Sequence, residues 1–586
     1  MIRNENPRYR KFTSGAAAVL ILVAVLRIVA TYKSTSVAWD EPCHIAAGLE
    51  WVDKHTYTLD PIHPPLSRTA IGLPLYLAGE RIPSFDGPLR KHDYYEVGGR
   101  ILYDGGHYNR NLTLARSGVL PFFIVLAVFV FCWTRSLFGD VAGLLATVLF
   151  TTIPSILAFS GLAYTDITTA CTQFAALFAF ARWLQWPTRL RTLVFGLALG
   201  LAFLSKMTTL LFVPAAAAGI VACWWSVKRF RAAGPGQEPR TGLRHHWVST
   251  GLVVAAVSLL VLWGGYRFSV GHVQEAMGLS PESMPTFQRF PGPLRSLAQR
   301  AVVDNWAVPA PALIQGLSVA WVVNQMHLPS FMFDKVTTGG IWYFFFVALA
   351  VKAPLPLLCL WVIGICSVIG TVARAFEWEP LAPAIAPVMI LLVAIAIHYK
   401  EGVRHILVVF ALLAVVAAQG WIALWNTPGN WRWLGRTAAV VLLSWQCVSS
   451  LRASPDFLSY YNALAGRDPA RVYMTGCDLD CGQDVFRLAE ETRKRGISQL
   501  NIAIWSAADI HQMGLPPVQI LQPFQPVTGW VAISLRSQRL GHLFHTAYPP
   551  AAFAWLDRYT PVQRVGNTIL LYWIPGDAVS PPSAPR

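Results

Sequence analysis

Two adjacent carboxylates, Asp40 and Glu41, stand just past the first apolar run of the chain, with Pro42, Cys43 and His44 behind them. Charge at a membrane boundary is costly to place and asks for a reason. At helical spacing Asp40 and His44 share one face, and a carboxylate facing a bound hydroxyl can act as general base. Asp40 also reads as the N-cap of a helix beginning there, with Pro42 tolerated in the first turn. Capping accounts for neither Glu41 nor His44. A second acidic position is Asp166, in Ala163-Tyr164-Thr165-Asp166; it reads equally as a cap shared with Thr165. His63 precedes Pro64-Pro65-Leu66, whose rings stiffen the backbone and hold the preceding residue extended, although a plain turn would look the same. Lys206, Lys352 and the pair Arg404-His405 border apolar runs. Cations there either snorkel to the interface or pair with the acids and bind a phosphate.

The elements that must position these groups are membrane helices. The chain has 586 residues, of which 54% are hydrophobic and 13% charged, against about 25% charged in a soluble protein. The mean hydropathy is +0.45. Eleven spans are expected, near 15–33, 115–134, 142–160, 166–184, 190–204, 207–226, 247–266, 350–372, 382–398, 403–425 and 436–451. The net charge is +16, but the basic residues cluster in short loops rather than one tract, which argues against nucleic acid and for membrane topology. With the N-terminus inside, the inside loops hold Arg135, then Arg182, Arg189 and Arg191, then Lys228, Arg229, Arg231, Arg240 and Arg244, then Arg374, and last Arg432 and Arg436. The candidate acids and cations named above then fall at or near the outer face, Lys352 at the outer end of the span 350–372.

The expected organisation is a transmembrane domain over 1–452 with outer loops 34–114 and 267–338, an extracytoplasmic α/β domain over 453–575, and a disordered tail over 576–586. Strands are expected at 471–474, 500–504, 527–535 and 567–573, with helices at 483–495, near 506–512 and in part over 540–557. No paired-Cys spacing of the zinc type occurs.

The ordered set of motifs resembles a known group. It runs Asp-Glu-Pro-x-His at 40–44, His-Pro-Pro-Leu at 63–66, Thr-Asp at 165–166, Leu-Ser-Lys at 204–206, Tyr343 to Pro354, and Gly-Val-Arg-His at 402–405. The segments 454–462 and 479–484 also match. Together they resemble bacterial membrane glycosyltransferases of the GT-C superfamily, similar to protein O-mannosyltransferases and to the aminoarabinose transferase of lipid A. In the motif at 476–484, Cys477 and Cys481 replace the Ser and Trp of close relatives; outside the cytoplasm these two can form a disulfide.

The resemblance implies a multi-pass enzyme of the cell membrane, N-terminus cytoplasmic and C-terminal domain extracytoplasmic. It would transfer a sugar from a polyprenyl-phosphate donor to a hydroxyl on a protein, lipid or polysaccharide acceptor. Asp40 is then the expected base, with Glu41 and Asp166 as its catalytic partners. His44, His63, Tyr164, Lys206, Lys352, Arg404 and His405 are expected to bind substrate. No cofactor is required, while the acids and His44 could hold a divalent metal. A ligase or polymerase of lipid-linked glycans, and a transporter or flippase without chemistry, are the other classes that fit.

Overall fold

The computed structural model describes residues 7–576, apart from 233–243, 275–291, 541–550 and positions 86, 88, 91, 92, 327, 329, 339 and 475. Nearly all of the expected tail, and much of the helix expected over 540–557, lie outside the described residues.

The chain is mostly helical, and its apolar helices make it a multi-pass membrane protein. Among the described residues six helices are long and apolar enough to cross a membrane: Arg8–Thr31, Tyr108–Phe138, Thr209–Phe230, Trp247–Gly265, Leu355–Ala375 and Gly402–Trp425. Asp140–Thr151 and Pro154–Ser160 make a seventh if counted as one span, bent by 66°. Four expected spans remain, and Arg432–Arg452 among them has 21 residues but interrupts its apolar run with Arg, Ser and Gln. Arg189–Phe203 and Ala382–Ala394 have 15 and 13 residues, below the ~20 a bilayer core needs. Asp166–Gln185 is long enough but rich in Thr. Its hydroxyls return to carbonyls one turn back, as in Thr169 to Thr165 at 2.8 Å and Thr172 to Thr168 at 3.0 Å.

Among the described residues twelve α-helices precede the second polar section. They are α1 (Pro7–Thr31), α2 (Glu41–Asp53), α3 (Pro65–Leu77), α4 (Tyr94–Tyr103), α5 (Tyr108–Ser117), α6 (Leu120–Phe138), α7 (Asp140–Thr151), α8 (Pro154–Ser160), α9 (Asp166–Gln185), α10 (Arg189–Phe203), α11 (Thr209–Ala232) and α12 (Arg244–Gly265). The bundle is centred on the helix Leu407–Trp425, buried at every residue from Leu407 to Ala418. It touches α6, α7, α9 and the helices Leu355–Ala375, Ala382–Ala394 and Arg432–Arg452. A helix apolar all round belongs in such a place. It crosses Leu355–Ala375 at a contact that only glycine permits: a Cβ on Gly420 would stand 2.0 Å from the Leu360 carbonyl oxygen, and one on Gly364 2.1 Å from that of Val416. Small residues at such crossings let backbones approach closely. Arg27 of α1 is not a free snorkelling cation; its Nη2 donates to the carbonyl and hydroxyl oxygens of Ser450 at 2.8 and 3.0 Å.

Two short antiparallel pairs belong to the second polar section: β1 (Val270–His272) with β2 (Ala307–Pro309), and the hairpin of β3 (Ser330–Met332) with β4 (Lys335–Thr337). The C-terminal part carries a five-stranded sheet of β5 (Leu500–Ala503), β6 (Val518–Ile520), β7 (Gly529–Ser534), β8 (Gln563–Val565) and β9 (Ile569–Ile574), in the order β6-β5-β7-β9-β8. β5 runs parallel to both neighbours, while β9 is antiparallel to β7 and β8. Alternate residues serve two cores, Val531 and Ile533 on one face and Ala532 and Leu571 on the other. The helix Val485–Lys494 packs Leu488 onto the second. Two expectations differ. Residues 506–512 form turns, and Pro469–Val472 is a helical turn rather than a strand. Pro469 pre-sets φ for a first helical position, so only Tyr473 bridges a strand residue, Met332.

Gly420→Val would force the two central helices apart. Overpacking of this kind costs about 1–3 kcal/mol, so the thermal unfolding midpoint in detergent should fall clearly while Gly370→Ala, whose Cβ would meet open space, moves it far less.

Candidate active site

α2 begins where the sequence places it, but Asp40 does not spend its side chain on capping. It occupies the N-cap position and makes no side-chain cap bond. Its Oδ2 instead accepts from Arg404 Nη1 at 2.6 Å. About a quarter of the Asp40 side chain, 23%, is exposed, against 8% for Arg404. Burial alone would raise the Asp40 carboxyl, but the Arg404 guanidinium, with His44 and His63, more than offsets it and holds the group below its ordinary range. Arg404 also pairs with Glu401.

Glu41 is different. It is fully buried and every lone-pair position is taken. Oε1 accepts from Arg116 Nε and Ala163 N, both at 2.8 Å. Oε2 accepts from Arg116 Nη2 at 2.8 Å and Ala38 N at 2.7 Å. A carboxylate offers about four such positions, so none remains for a substrate. These bonds hold the loop before α2 and the segment before α9 in place.

Tyr164 lies beneath Asp40. Its hydroxyl accepts from Asp40 N at 3.0 Å, and Arg404 stacks over its ring at 5.3 Å. The hydroxyl also touches the sulfurs of Cys477 and Cys481, at 3.1 and 3.2 Å. These two cysteines form a disulfide. Tyr164 is wholly buried, a support for Asp40 more than a contact for substrate. The loop of that disulfide also fixes Arg404. Asp478 Oδ2 accepts from Val403 N at 2.7 Å, and a Cβ on Gly402, whose φ is +79°, would strike the same carboxylate at 2.0 Å.

Asp166 likewise declines the capping role. Thr165 and Asp166 start α9 without a side-chain cap bond, and Asp166 Oδ1 accepts from Lys206 Nζ at 2.6 Å. This pair lies close enough to the first for Lys206 to feel the charges of Arg404 and Asp40. His44 presents its ring edge-on to Tyr164 and His63, with centroids 5.5 and 4.9 Å apart. Burial and His63 push it down to about 3, so its imidazole is neutral. His63 stands before α3, and its Nδ1 is 2.7 Å from Asp60 Oδ2.

The structure therefore gathers Asp40, Asp166, Lys206, Arg404, His44 and His63. Lys352 is placed elsewhere: its Nζ donates to the carbonyls of Leu458, at 2.8 Å, and Asp478, and it lies over the Tyr461 ring. With these partners and 2% exposure, Lys352 ties the bundle to the C-terminal part. His405 packs against Phe345 and Tyr399. Sequence reasoning missed Arg116, Asp60, Asp478 and the stack of Trp39 on Trp505, 4.2 Å apart with Arg536 over the far ring. The buried charges carried one signal, since an arginine and acids near apolar segments need partners.

Residues 113–235 match the family described as dolichyl-phosphate-mannose-protein mannosyltransferase. The matched stretch contains Arg116, Tyr164, Asp166 and Lys206. No curated protein matches the sequence. Among solved structures, ArnT from Cupriavidus metallidurans bound to undecaprenyl phosphate aligns over 95% of this chain and 98% of its own, at 11% identity and a TM-score of 0.46. The apo oligosaccharyltransferase of Archaeoglobus fulgidus aligns over 89% and 70%, at 14% identity and 0.43. A protein O-mannosyltransferase complex of S. cerevisiae bound to the sugar donor aligns over 43% and 32%, at 18% and 0.32.

Glu41→Gln should unfold the site rather than tune it. Breaking one partner of a buried ion pair costs about 3–5 kcal/mol. The loss should appear as a lowered unfolding midpoint in detergent, larger than that of Asp40→Asn, whose carboxylate is partly solvated.

Proposed function

We propose that this chain is a membrane glycosyltransferase that moves a sugar from a polyprenyl-phosphate donor to an acceptor hydroxyl at the extracytoplasmic face, with inversion. The observation that carries the reading is the pair of neighbouring ion pairs, Asp40–Arg404 and Asp166–Lys206, with Asp40 the most accessible of the four. The match of residues 113–235 supports the donor class.

In this reaction Asp40 takes the proton of the acceptor hydroxyl, whose oxygen attacks the anomeric carbon. The bond to the donor's phosphate oxygen breaks on the opposite face, and the electron pair leaves with the polyprenyl phosphate. Arg404, Lys206 and His63 stabilise that charge. Arg404 is suited to this, because its buried Nε has no hydrogen-bond partner among the described residues. A phosphate arriving at the guanidinium would compete with Asp40 for it and free the base. Asp166 holds Lys206 and orients the acceptor; His44 shapes the sugar's side of the site. The reaction requires no cofactor and is compatible with a divalent ion.

The proposal includes the orientation: N-terminus cytoplasmic, with the two short antiparallel pairs, the loops around α2 to α4 and the C-terminal sheet outside. It also keeps the eleven crossings, the shorter helices tilting or sitting within the bundle, and divides the chain at about 452. Acceptors are protein, lipid or polysaccharide hydroxyls.

Membrane fractions given labelled polyprenyl-phosphate sugars should incorporate label in wild type. Asp40→Asn should lower incorporation by about 10²–10⁴-fold, the range of a lost general base, while still retaining bound lipid. Equal incorporation by both would sink the assignment. Incorporation from oligosaccharide but never single-sugar donors would make the enzyme a ligase or polymerase.

A further inference from the structure

Behind Asp40 lies a second group of donor atoms that the proposed transfer does not use as a set. Cys43 Sγ, a ring nitrogen of His44 and a carboxylate oxygen of Asp60 all lie within 4.8 Å of one another. Cys43 and His44 are in the first turn of α2, and Asp60 is in the loop leading to α3. Each is poised for a ligand in its own way. Cys43 is a free thiol. His44 is 5% exposed, and its ring makes only aromatic edge contacts, with no hydrogen bond on either nitrogen among the described residues. Asp60 receives Ile62 N on Oδ1 at 3.1 Å and His63 Nδ1 on Oδ2 at 2.7 Å, which leaves lone pairs on both oxygens.

We propose that Cys43, His44 and Asp60 bind a divalent cation of the zinc class. Sulfur, imidazole and carboxylate form a donor set that suits zinc and excludes magnesium and calcium, which take oxygen ligands. Three protein ligands leave a fourth position for an oxygen ligand, the arrangement of open zinc sites. The contact of His63 with Asp60 is the outer-shell support such a carboxylate needs. Thiolate and carboxylate neutralise the ion. Arg68, 3.8 Å from Asp60 Oδ2, is held by the carbonyls of Asp60 and His63 and need not move. The ion would tie the first turn of α2 to the loop that carries His63. The site stands whether or not the chain transfers sugar.

The test uses the full chain in detergent, stripped with a chelator and titrated with Co²⁺. Wild type should bind one equivalent, show a thiolate-to-cobalt charge-transfer band, and lose the band on adding Zn²⁺. Cys43→Ser should abolish the band, and Asp60→Asn should weaken Zn²⁺ binding at least tenfold, while Cys171→Ser leaves both unchanged. No thiolate band in wild type, or an undiminished band in Cys43→Ser, would overturn the site. Should the variants fail to fold, alkylation of Cys43 in wild type, mapped by mass spectrometry, decides. Zn²⁺ must slow it at least tenfold, and equal rates with and without Zn²⁺ refute the proposal.

Discussion

The architecture of the site depends on one buried charge pair. Glu41 and Arg116 are both wholly enclosed, and burying two ions is costly unless each is saturated with hydrogen bonds. Here they are. Arg116 also donates to the carbonyls of Tyr32, Thr35 and Ser36, so a single guanidinium holds the chain between α1 and α2. Glu41, in turn, holds Ala38 and Ala163. Those contacts fix the backbone on either side of Asp40 and immediately before Tyr164 and Asp166. The residue next to the proposed base is therefore the clamp that gives the base a fixed place.

The second constraint comes from the far end of the sequence. Trp39 N donates to the Cys481 carbonyl and Ser36 N to that of Gln483, at 3.1 and 2.9 Å. Ser36 Oγ donates to Gly482 O at 2.9 Å. Trp39 stacks on Trp505. The loop 476–484 thus closes over the N-terminal motif, and its Asp478 sets the backbone that presents Arg404. Residues some 360 to 470 positions apart in sequence meet there, and the disulfide touches Tyr164.

Much of this was legible in the chain. The acids at apolar boundaries marked the site, because charge is expensive there. Periodicity and mean hydropathy marked the helical bundle, and β-branched runs marked β5, β7 and β9. What was not legible is which acid does what. Asp40 and Glu41 are neighbours of one chemical type, and only Arg116, seventy-five residues on, separates a clamp from an exposed carboxylate. Lys352 and Lys206 looked alike for the same reason, since each interrupts an apolar run, yet one meets backbone carbonyls and the other a carboxylate. Length and apolarity alone mark six or seven of the expected spans among the described residues; the others are shorter or more polar helices, which those two criteria do not decide. The Cys43, His44 and Asp60 group was hidden because its ligands follow no repeated spacing.

The central claim is that Arg404 keeps Asp40 ionised until a donor phosphate competes for it. Its most direct test is the pH dependence of kcat/KM for sugar transfer, which reports groups of the free enzyme. With Arg404 present, Asp40 titrates below its ordinary value of about 3.9, so activity should stay level on the acid side down to about that pH. In Arg404→Gln, burial is left without its main opposing charge, the carboxyl rises, and the acid limb should move up by at least one pH unit. Superimposable acid limbs in wild type and Arg404→Gln would contradict the account.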